Sequence, residues 1–187
     1  MLKEKKNKLI LIAIAALVVV GLLLFLYCML TYSIAIGHWE KGDHAKAAAQ
    51  FSKIMLYRDS RKYVNEFKED LTEQLTKSHW ESQTFDSKYF KGYRYLTFHE
   101  DGTVTDGAYG DAKRGTGNQN YPGDPQDYKI VFKHGDVYVK TKSHEFKAVF
   151  DGDELSRFEI KVKYDGNSIR LTYDYEWGNR KGSTPVG

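Results

Sequence analysis

The N-terminal segment contains a long uninterrupted run of apolar side chains. Residues 9–30 read LILIAIAALVVVGLLLFLYCML, without a single charged side chain. A helix of about 20 apolar residues matches a hydrocarbon core about 30 Å thick, and a helix satisfies its backbone hydrogen bonds internally in lipid. A buried core helix is the alternative, but only eight residues precede the run. We therefore predict a transmembrane helix over residues 9–30 that contacts the lipid bilayer.

The charges that flank this run indicate its orientation. Residues 1–8 carry four lysines and one glutamate, and positively charged flanks are retained on the cytoplasmic side. We expect residues 1–8 to be a cytoplasmic tail, and residues 31–187 to lie outside the cytoplasm at the cell membrane. A cleavable signal peptide is the competing interpretation, but its apolar region usually spans about 7–15 residues. An uncleaved single-pass anchor is therefore favoured.

Between residues 31 and 77 the apolar positions recur at helical spacing. Asp43 can cap a helix whose inner face carries Ala47, Ala48, Phe51, Ile54 and Met55. Asp59 and Ser60 can begin a second helix, with one face formed by Tyr63, Phe67, Leu71 and Leu75. Apolar positions four residues apart are typical of an amphipathic helix. Residues 31–77 are thus predicted to form a helical hairpin.

From about His79 onwards, apolar and polar side chains alternate with a period of two. The clearest runs are residues 158–164 and 169–177, and shorter ones are residues 93–98, 128–132, 137–141 and 146–150. Such alternation is typical of half-buried strands, and the Gly, Asn and Asp residues between the runs favour hairpin turns. We predict an antiparallel β-barrel or β-sandwich meander over residues 78–177, followed by a polar tail over residues 178–187. The fold class is therefore α+β, and we expect the β domain to fold without the anchor or the hairpin.

Two stretches resemble known families. Trp39 stands three residues before Gly42-Asp43, and Ala47 and Phe51 follow at a spacing that resembles the middle of a tetratricopeptide repeat. The sequence Tyr57-Arg-Asp-Ser60 is similar to the ends of such units in bacterial membrane-anchored proteins. About three such units are needed for a solenoid, so we expect a stalk hairpin that packs on itself, with a peptide-binding groove as the alternative.

The second resemblance lies in the predicted β domain. Trp80, a strand that ends in Leu96-Thr-Phe98, and the turn Glu100-Asp-Gly-Thr103 follow one another in an order similar to lipocalin-like small β-barrel domains of bacterial exported proteins. This resemblance implies a closed barrel whose interior holds a small apolar ligand.

Charge and cysteine content exclude two classes of function. The chain carries 28 basic and 25 acidic residues. Four of the basic residues and one of the acidic residues lie within residues 1–30, so the remainder carries equal numbers of both signs. A neutral ectodomain gives no support to nucleic-acid binding, which requires a basic face. The single cysteine, Cys28, lies within the predicted span, so we expect no disulfide and no cysteine-based metal site outside.

No catalytic, cofactor-binding or metal-binding constellation is predicted from the sequence. The six histidines lack metal-ligand spacing. Residues 114–118 lack the Gly-Lys-Ser/Thr ending of a phosphate loop. Acidic residues at 151–154 lack the spacing of an EF-hand and suit a β-turn equally well. We therefore expect a protein that is not an enzyme.

One interval lacks the strand period. Residues 106–127 are rich in Gly, Asn, Asp and Pro, and a connection of about 20 residues is long for a compact domain. Two aromatics and a cation in this interval, Tyr109, Tyr121 and Arg114, are residue types enriched in binding hot spots. They are our candidate partner-binding residues, with a disordered insertion as the alternative.

Two hypotheses for function follow. The first is a membrane-anchored, non-enzymatic binding module for a protein or a cell-wall component. The second is a lipocalin-like carrier of a small apolar ligand. A filled interior with exposed aromatics favours the first, and an apolar void favours the second. We prefer the first, because small barrels are usually filled by their own side chains.

The predicted topology can be tested on intact cells. Protease added outside should remove epitopes placed after Lys77 and leave an N-terminal tag intact, because the bilayer shields only the cytoplasmic side. Digestion of the N-terminal tag, or recovery of a mature chain that begins near Ile36, would contradict the prediction.

Overall fold

The computed structural model describes residues 2–112, 117–164 and 167–175. Its elements are one long apolar helix, two shorter helices and an antiparallel sheet, so the α+β fold class is confirmed. The chain divides into two compact units, Met1–Val64 and Asn65–Gly187.

The first unit is built on a helix that extends beyond the predicted span. Helix α1 covers Leu2–Trp39, and its segment Asn7–Trp39 is long and apolar enough to cross a membrane. Glu40, the first charged residue after Lys8, directly follows the last residue of the helix. The prediction of a long apolar N-terminal helix is confirmed, with its C-terminal end nine residues later than predicted.

Helix α2 (His44–Phe51) and a 3-10 helix (Ser52–Ile54) return along α1. Ala35 of α1 and both Ala47 and Ala48 of α2 are completely buried, because alanine side chains allow the two backbones to approach closely. The predicted inner face is confirmed for Ala47, Ala48, Phe51 and Ile54, which are buried. Ile54 lies in the 3-10 helix rather than in α2, and Met55, the last predicted position, follows it and is half-buried.

Asp43 precedes α2 as predicted, but its side chain does not cap the helix. The backbone carbonyl of Asp43 accepts a hydrogen bond from the amide of Ala47 at 3.0 Å. Its carboxylate instead contacts Lys46 at 3.3 Å and His38 at 3.4 Å. The hydrogen bond from Lys46 is the main cause that lowers the pKa of Asp43.

Helix α3 (Ser60–Thr76) crosses the boundary between the two units. Val64, Phe67, Leu71 and Leu75 are buried, which confirms the predicted apolar face apart from the half-buried Tyr63. Within the second unit the ring of Phe67 lies 6.1 Å from that of Phe132 and 5.8 Å from that of Phe150. Most of α3 therefore belongs to the same unit as the sheet. The sequence had predicted that all of residues 31–77 form a hairpin separate from the β domain.

The described part of the second unit contains eleven strands. Their bounds are β1 His79–Ser82, β2 Phe85–Asp86, β3 Lys91–Phe98, β4 Thr103–Asp111, β5 Asn118–Tyr121, β6 Gln126–Asp127, β7 Lys129–Lys133, β8 Asp136–Lys140, β9 Glu145–Asp151, β10 Glu154–Tyr164 and β11 Asn167–Tyr175. The runs predicted from period-two alternation therefore coincide with β3 and β7 to β11. Trp177, at the end of the last predicted run, lies outside the described residues.

The strands form one antiparallel sheet in the order β5-β4-β3-β1-β11-β10-β9-β8-β7, with β2 on β3 and β6 on β4. Strands β7 to β11 are a meander of consecutive hairpins, as predicted. The β7–β8 turn is closed by His134 and Gly135, both at positive φ (52° and 86°), which matches the right-handed twist of the flanking strands. The first and last strands, β1 and β11, pair in the middle of the sheet.

Large aromatic side chains fill the space that the sheet encloses. Phe158 of β10 contacts Trp80 of β1 at 4.9 Å, Phe98 of β3 at 5.8 Å and Phe146 of β9 at 6.2 Å between ring centroids. Two strands separate β3 from β10 in the sheet, so the sheet curls to bring these rings together. All four rings are at most 3% exposed.

The sheet is not closed into a barrel across the residues that the structure describes, so the barrel alternative is corrected. The hydrogen-bonded path ends at β5 on one side and at β7 on the other. Strand β6, which precedes β7 by one residue, pairs with β4 over only two positions. Pro122 and Pro125 lie just before this segment, and proline has no amide hydrogen for a strand ladder.

The prediction of an aperiodic connection over residues 106–127 is wrong for residues 106–111, 118–121 and 126–127, which lie in strands. Strand β4 continues through Gly107 and Gly110 to Asp111, and β5 pairs with it. Gly107 lies within β4, and the ring of Tyr95 packs directly on it. A methyl group at this position would be 2.4 Å from Tyr95 Cζ, so glycine leaves room for the ring. The glycines indicate close packing here rather than a loop.

We expect the Phe67→Ala variant to unfold at a lower urea concentration than the parent chain. Removal of a buried ring typically costs about 3–5 kcal/mol, and Phe67 is 4% exposed. Near-ultraviolet circular dichroism of the full chain in detergent would report the loss of aromatic packing. The exposed neighbour Glu69 provides the control, because Glu69→Ala should stay within about 0.5 kcal/mol. Equal midpoints for the two variants would contradict the packing of α3 on the sheet.

Candidate functional site

The outward side of β1, β3, β4 and β5 carries a group of partly exposed rings together with one asparagine side chain. We call it the tyrosine face, and it comprises His79, Tyr93, Tyr95, Tyr109 and Asn120. The register alternates these side chains with the buried residues Trp80, Leu96 and Val104. The rings therefore point away from the core, towards solvent.

Contacts between strands hold the tyrosine face in place. The hydroxyl of Tyr95 donates a hydrogen bond to Asn120 Oδ1 at 2.8 Å, and the Tyr95 ring stacks on that of His79 at 5.8 Å. Tyr93 and Tyr109 pair across β3 and β4 at 5.6 Å. Because Gly107 offers no side chain, Tyr95 lies flat on the sheet. The result is a pre-ordered aromatic surface whose polar atoms lie at its edge.

The three predicted partner-binding residues do not share one surface in the described structure. Tyr109 lies on the tyrosine face and is 39% exposed. Tyr121 pairs with Ala108, the residue before Tyr109, so it points to the opposite side of the sheet, where its ring lies 5.9 Å from that of Phe90. Arg114 lies outside the described residues.

Four ionisable residues lie close together on the inward side of the sheet, and we call them the interior polar cluster: Arg94, Asp106, His144 and Tyr173. Arg94 belongs to β3 and Asp106 to β4. Arg94 and Asp106 form an ion pair between β3 and β4. His144 Nδ1 lies 3.5 Å from Asp106 Oδ2. The ring of Tyr173 is completely buried in the aromatic core. The cluster thus forms a charged layer directly beside an apolar one.

Two polar atoms of this cluster, Asp106 Oδ1 and Tyr173 Oη, are buried without a hydrogen-bond partner among the described residues. A buried polar atom without a partner costs about 1–3 kcal/mol, and such atoms are uncommon in native interiors.

Burial dominates the titration behaviour of the cluster. Burial of the Tyr173 hydroxyl raises its pKa more than any other effect, and the negative charge of Asp106 raises it further. Burial also lowers the pKa of His144, although the nearby Asp106 charge opposes that shift. Both side chains are thereby held in their neutral forms near neutral pH.

The sequence contains a signal for this cluster that the period analysis did not use. Arg94 is in phase with the inward-facing Leu96, and Asp106 is in phase with the inward-facing Val104. Opposite charges at inward positions of two consecutive strands predict a buried ion pair. The participation of His144 and Tyr173 required the three-dimensional structure, because β9 and β11 are far from β4 in the chain.

The exposed side of α3 forms an open polar groove with lysines and glutamates side by side, lined by Lys68, Glu69, Glu73, Lys77 and Glu100. This mixture of charges is typical of a solvated helix face. Among the residues that the structure describes, no group of three His, Cys, Asp or Glu side chains is arranged to hold a metal ion.

Comparisons of this chain with protein-family models, with curated proteins and with solved structures find no match. The resemblances to tetratricopeptide repeats and to lipocalin-like domains therefore stay predictions, and the geometry of the site is the basis for a function.

His144 should make stability depend on pH. Because its pKa in the folded chain is below the ordinary value of 6.5, the unfolded chain takes up its proton first as the pH falls. Stability should therefore be complete above about pH 6.5 and decrease below it. In urea unfolding between pH 7.5 and 5, His144→Gln should flatten this decrease, while the exposed control His134→Asn should not. An unchanged pH profile in His144→Gln would contradict the burial of this side chain.

Proposed function

We propose that this protein is a membrane-anchored, non-enzymatic interaction module. Its β unit acts outside the cytoplasm and binds a protein or a cell-wall component through the tyrosine face. The observation that carries this proposal is the exposed ring of Tyr109 beside the half-buried rings of Tyr93 and Tyr95 on neighbouring strands.

The anchor rests on α1. Large apolar side chains between Leu9 and Leu26 project from this helix into the surroundings, with Leu17 71% exposed. Such exposure is unfavourable in water, at roughly 25 cal/mol for each Å² of apolar surface, and favourable in lipid. The lysine-rich flank then favours a cytoplasmic N-terminus.

The tyrosine face has the properties of a binding surface. Tyrosine rings bury a large area with little loss of side-chain entropy and carry a polar tip. The contacts of Tyr95 with Asn120 and of Tyr93 with Tyr109 hold the rings before any partner arrives, which reduces the cost of ordering them on binding. If the pair of Tyr93 and Tyr109 served only to stabilise the sheet, the ring of Tyr109 would not need to be 39% exposed.

The alternative, a carrier of a small apolar ligand, has less support. The rings of Trp80, Phe98, Phe146 and Phe158 contact one another where such a ligand would lie. The neighbouring layer contains the Arg94–Asp106 ion pair, and an apolar ligand placed against it would leave these charges poorly solvated. A filled core beside a charged layer therefore favours the interaction module.

A photo-crosslinking residue in place of Tyr109 tests the proposal in membranes of cells that make the full chain. A partner protein should appear as a crosslinked adduct, whereas a cell-wall partner should appear as co-sedimentation of the chain with isolated cell walls. Tyr138 is the matched control, since it points outward from β8 with its ring beneath Lys133.

Truncation should then weaken the interaction. Tyr109→Ser should cost about 2 kcal/mol if the ring is a hot spot, which is roughly 30-fold in Kd, and Tyr138→Ser should have little effect. Equal adducts and equal sedimentation for positions 109 and 138 would count against the tyrosine face as the binding surface.

A further inference from the structure

Three aromatic residues of α1, Phe25, Tyr32 and Trp39, lie seven residues apart and therefore on one side of the helix. Each contacts a different part of the returning chain. Trp39 stacks on His44 at the start of α2 at 4.2 Å, Tyr32 contacts Phe51 at its end at 5.5 Å, and Phe25 contacts Tyr57 at 6.2 Å. The chain after α1 thus runs back along α1 as far as Phe25 before α3 begins.

Phe25 lies inside the apolar run, five residues before its end at Leu30. With a rise of about 1.5 Å per residue, that is about 7 Å along the helix. Interfacial elements bury their apolar side about 5–10 Å into the boundary between headgroups and acyl chains. The segment at residues 55–59, which we call the hairpin tip, is therefore at the depth of that boundary.

The exposure of Leu56 at the hairpin tip has no explanation within the folded chain. Leu56 is 101% exposed, next to the Tyr57 that contacts Phe25. Among the described residues of the first unit, every other exposed large apolar side chain belongs to α1. Leu56 is therefore a fully exposed apolar side chain next to a residue that contacts the apolar run of α1.

The polar groups of the tip are accommodated on the side towards α1. The guanidinium of Arg58 lies 5.1 Å from the ring centre of Tyr32 and 5.4 Å from that of Tyr57. The hydroxyl of Tyr32 donates a hydrogen bond to the carboxylate of Asp59. Arg58 adopts φ 49°, a left-handed conformation that is uncommon without glycine and that makes the sharp turn of the tip. Tyrosine rings and a long basic side chain are the residue types that suit a membrane interface.

We infer that the hairpin tip is a second membrane contact: Leu56 inserts into the headgroup–acyl boundary of the same bilayer that α1 spans, with Tyr57 and Arg58 at headgroup level. This inference rests on the proposed anchoring by α1. A helix alone can tilt and rotate in a bilayer, whereas a helix with a lateral contact is restricted in both motions. The occupant of the exposed apolar surface at Leu56 is therefore lipid.

Nitroxide labels on the full chain test this inference in vesicles of phosphatidylcholine and phosphatidylglycerol. Cys28→Ser supplies a cysteine-free background, and single cysteines are introduced at three sites. Leu17 in α1 is the lipid reference, Lys46 on α2 is the aqueous reference with a side chain 65% exposed, and Leu56 is the site in question. Accessibility to oxygen, which concentrates in lipid, is compared with accessibility to a water-soluble nickel chelate.

The label at position 56 should resemble that at position 17, with oxygen access favoured, and differ from that at position 46. If position 56 resembles position 46 while position 17 lies in lipid, the tip is in water and this inference is overturned, although the anchor stands. If position 17 is accessible to the nickel chelate, the anchor itself fails and the inference fails with it.

A second measurement guards against disturbance of the tip by the label. Leu56→Trp should add a tryptophan signal that lipids brominated near the headgroup end of their chains quench more strongly than they quench the parent protein. Lys46→Trp should add a signal that these lipids do not quench. Equal quenching of the Leu56→Trp and Lys46→Trp signals would also overturn the inference.

Discussion

The packing of the β unit depends on the contacts made by the ring of Phe158. It contacts Trp80, Phe98 and Phe146, which belong to three other strands and two halves of the sheet. The contacts with Trp80 and Phe98 depend on the pairing of β1 with β11 in the middle of the sheet, which places β1 and β3 on the same path as β10. Aromatic side chains of this size bury about 150–250 Å² each, so this group of rings supplies much of the apolar burial available to a small unit.

The curl separates two environments on the same pair of strands. On the inner side of β3 and β4, the apolar residues Leu96 and Val104 stand next to Arg94 and Asp106 along the same strands. Arg94 and Asp106 form an ion pair. On the outer side, rings lie flat against the sheet where Gly107 leaves room for Tyr95. The inner side therefore combines apolar packing with a largely buried charge pair, which is costly to desolvate, and the outer side carries partly exposed rings.

The helical unit follows a different physical constraint. The long apolar helix is covered on one side, where the returning segment contacts α1 from Trp39 to Phe25. Alanines at the contact allow the backbones to approach, and aromatic rings fill the remaining space at intervals of seven residues. Among the described residues, the unit's exposed large apolar side chains are thereby confined to α1 and the hairpin tip.

The sequence alone determined the features that depend on local periodicity. A charge-free apolar run from Leu9 to Leu30 predicts one long apolar helix, and alternation in β3 and in β7 to β11 predicts antiparallel strands, because each pattern reflects the geometry of its own element. The tertiary structure decided what depends on contacts between distant residues. The pairing of β1 with β11, the open edge of the sheet, the strand conformation of Gly107 and the burial of Tyr173 beside Asp106 all involve partners far apart in the chain. The candidate site divides in the same way: Tyr109 could be selected from its composition, but its separation from Tyr121 onto the opposite side of the sheet followed only from the register of β4 with β5, since a shift of one residue reverses the direction of every side chain.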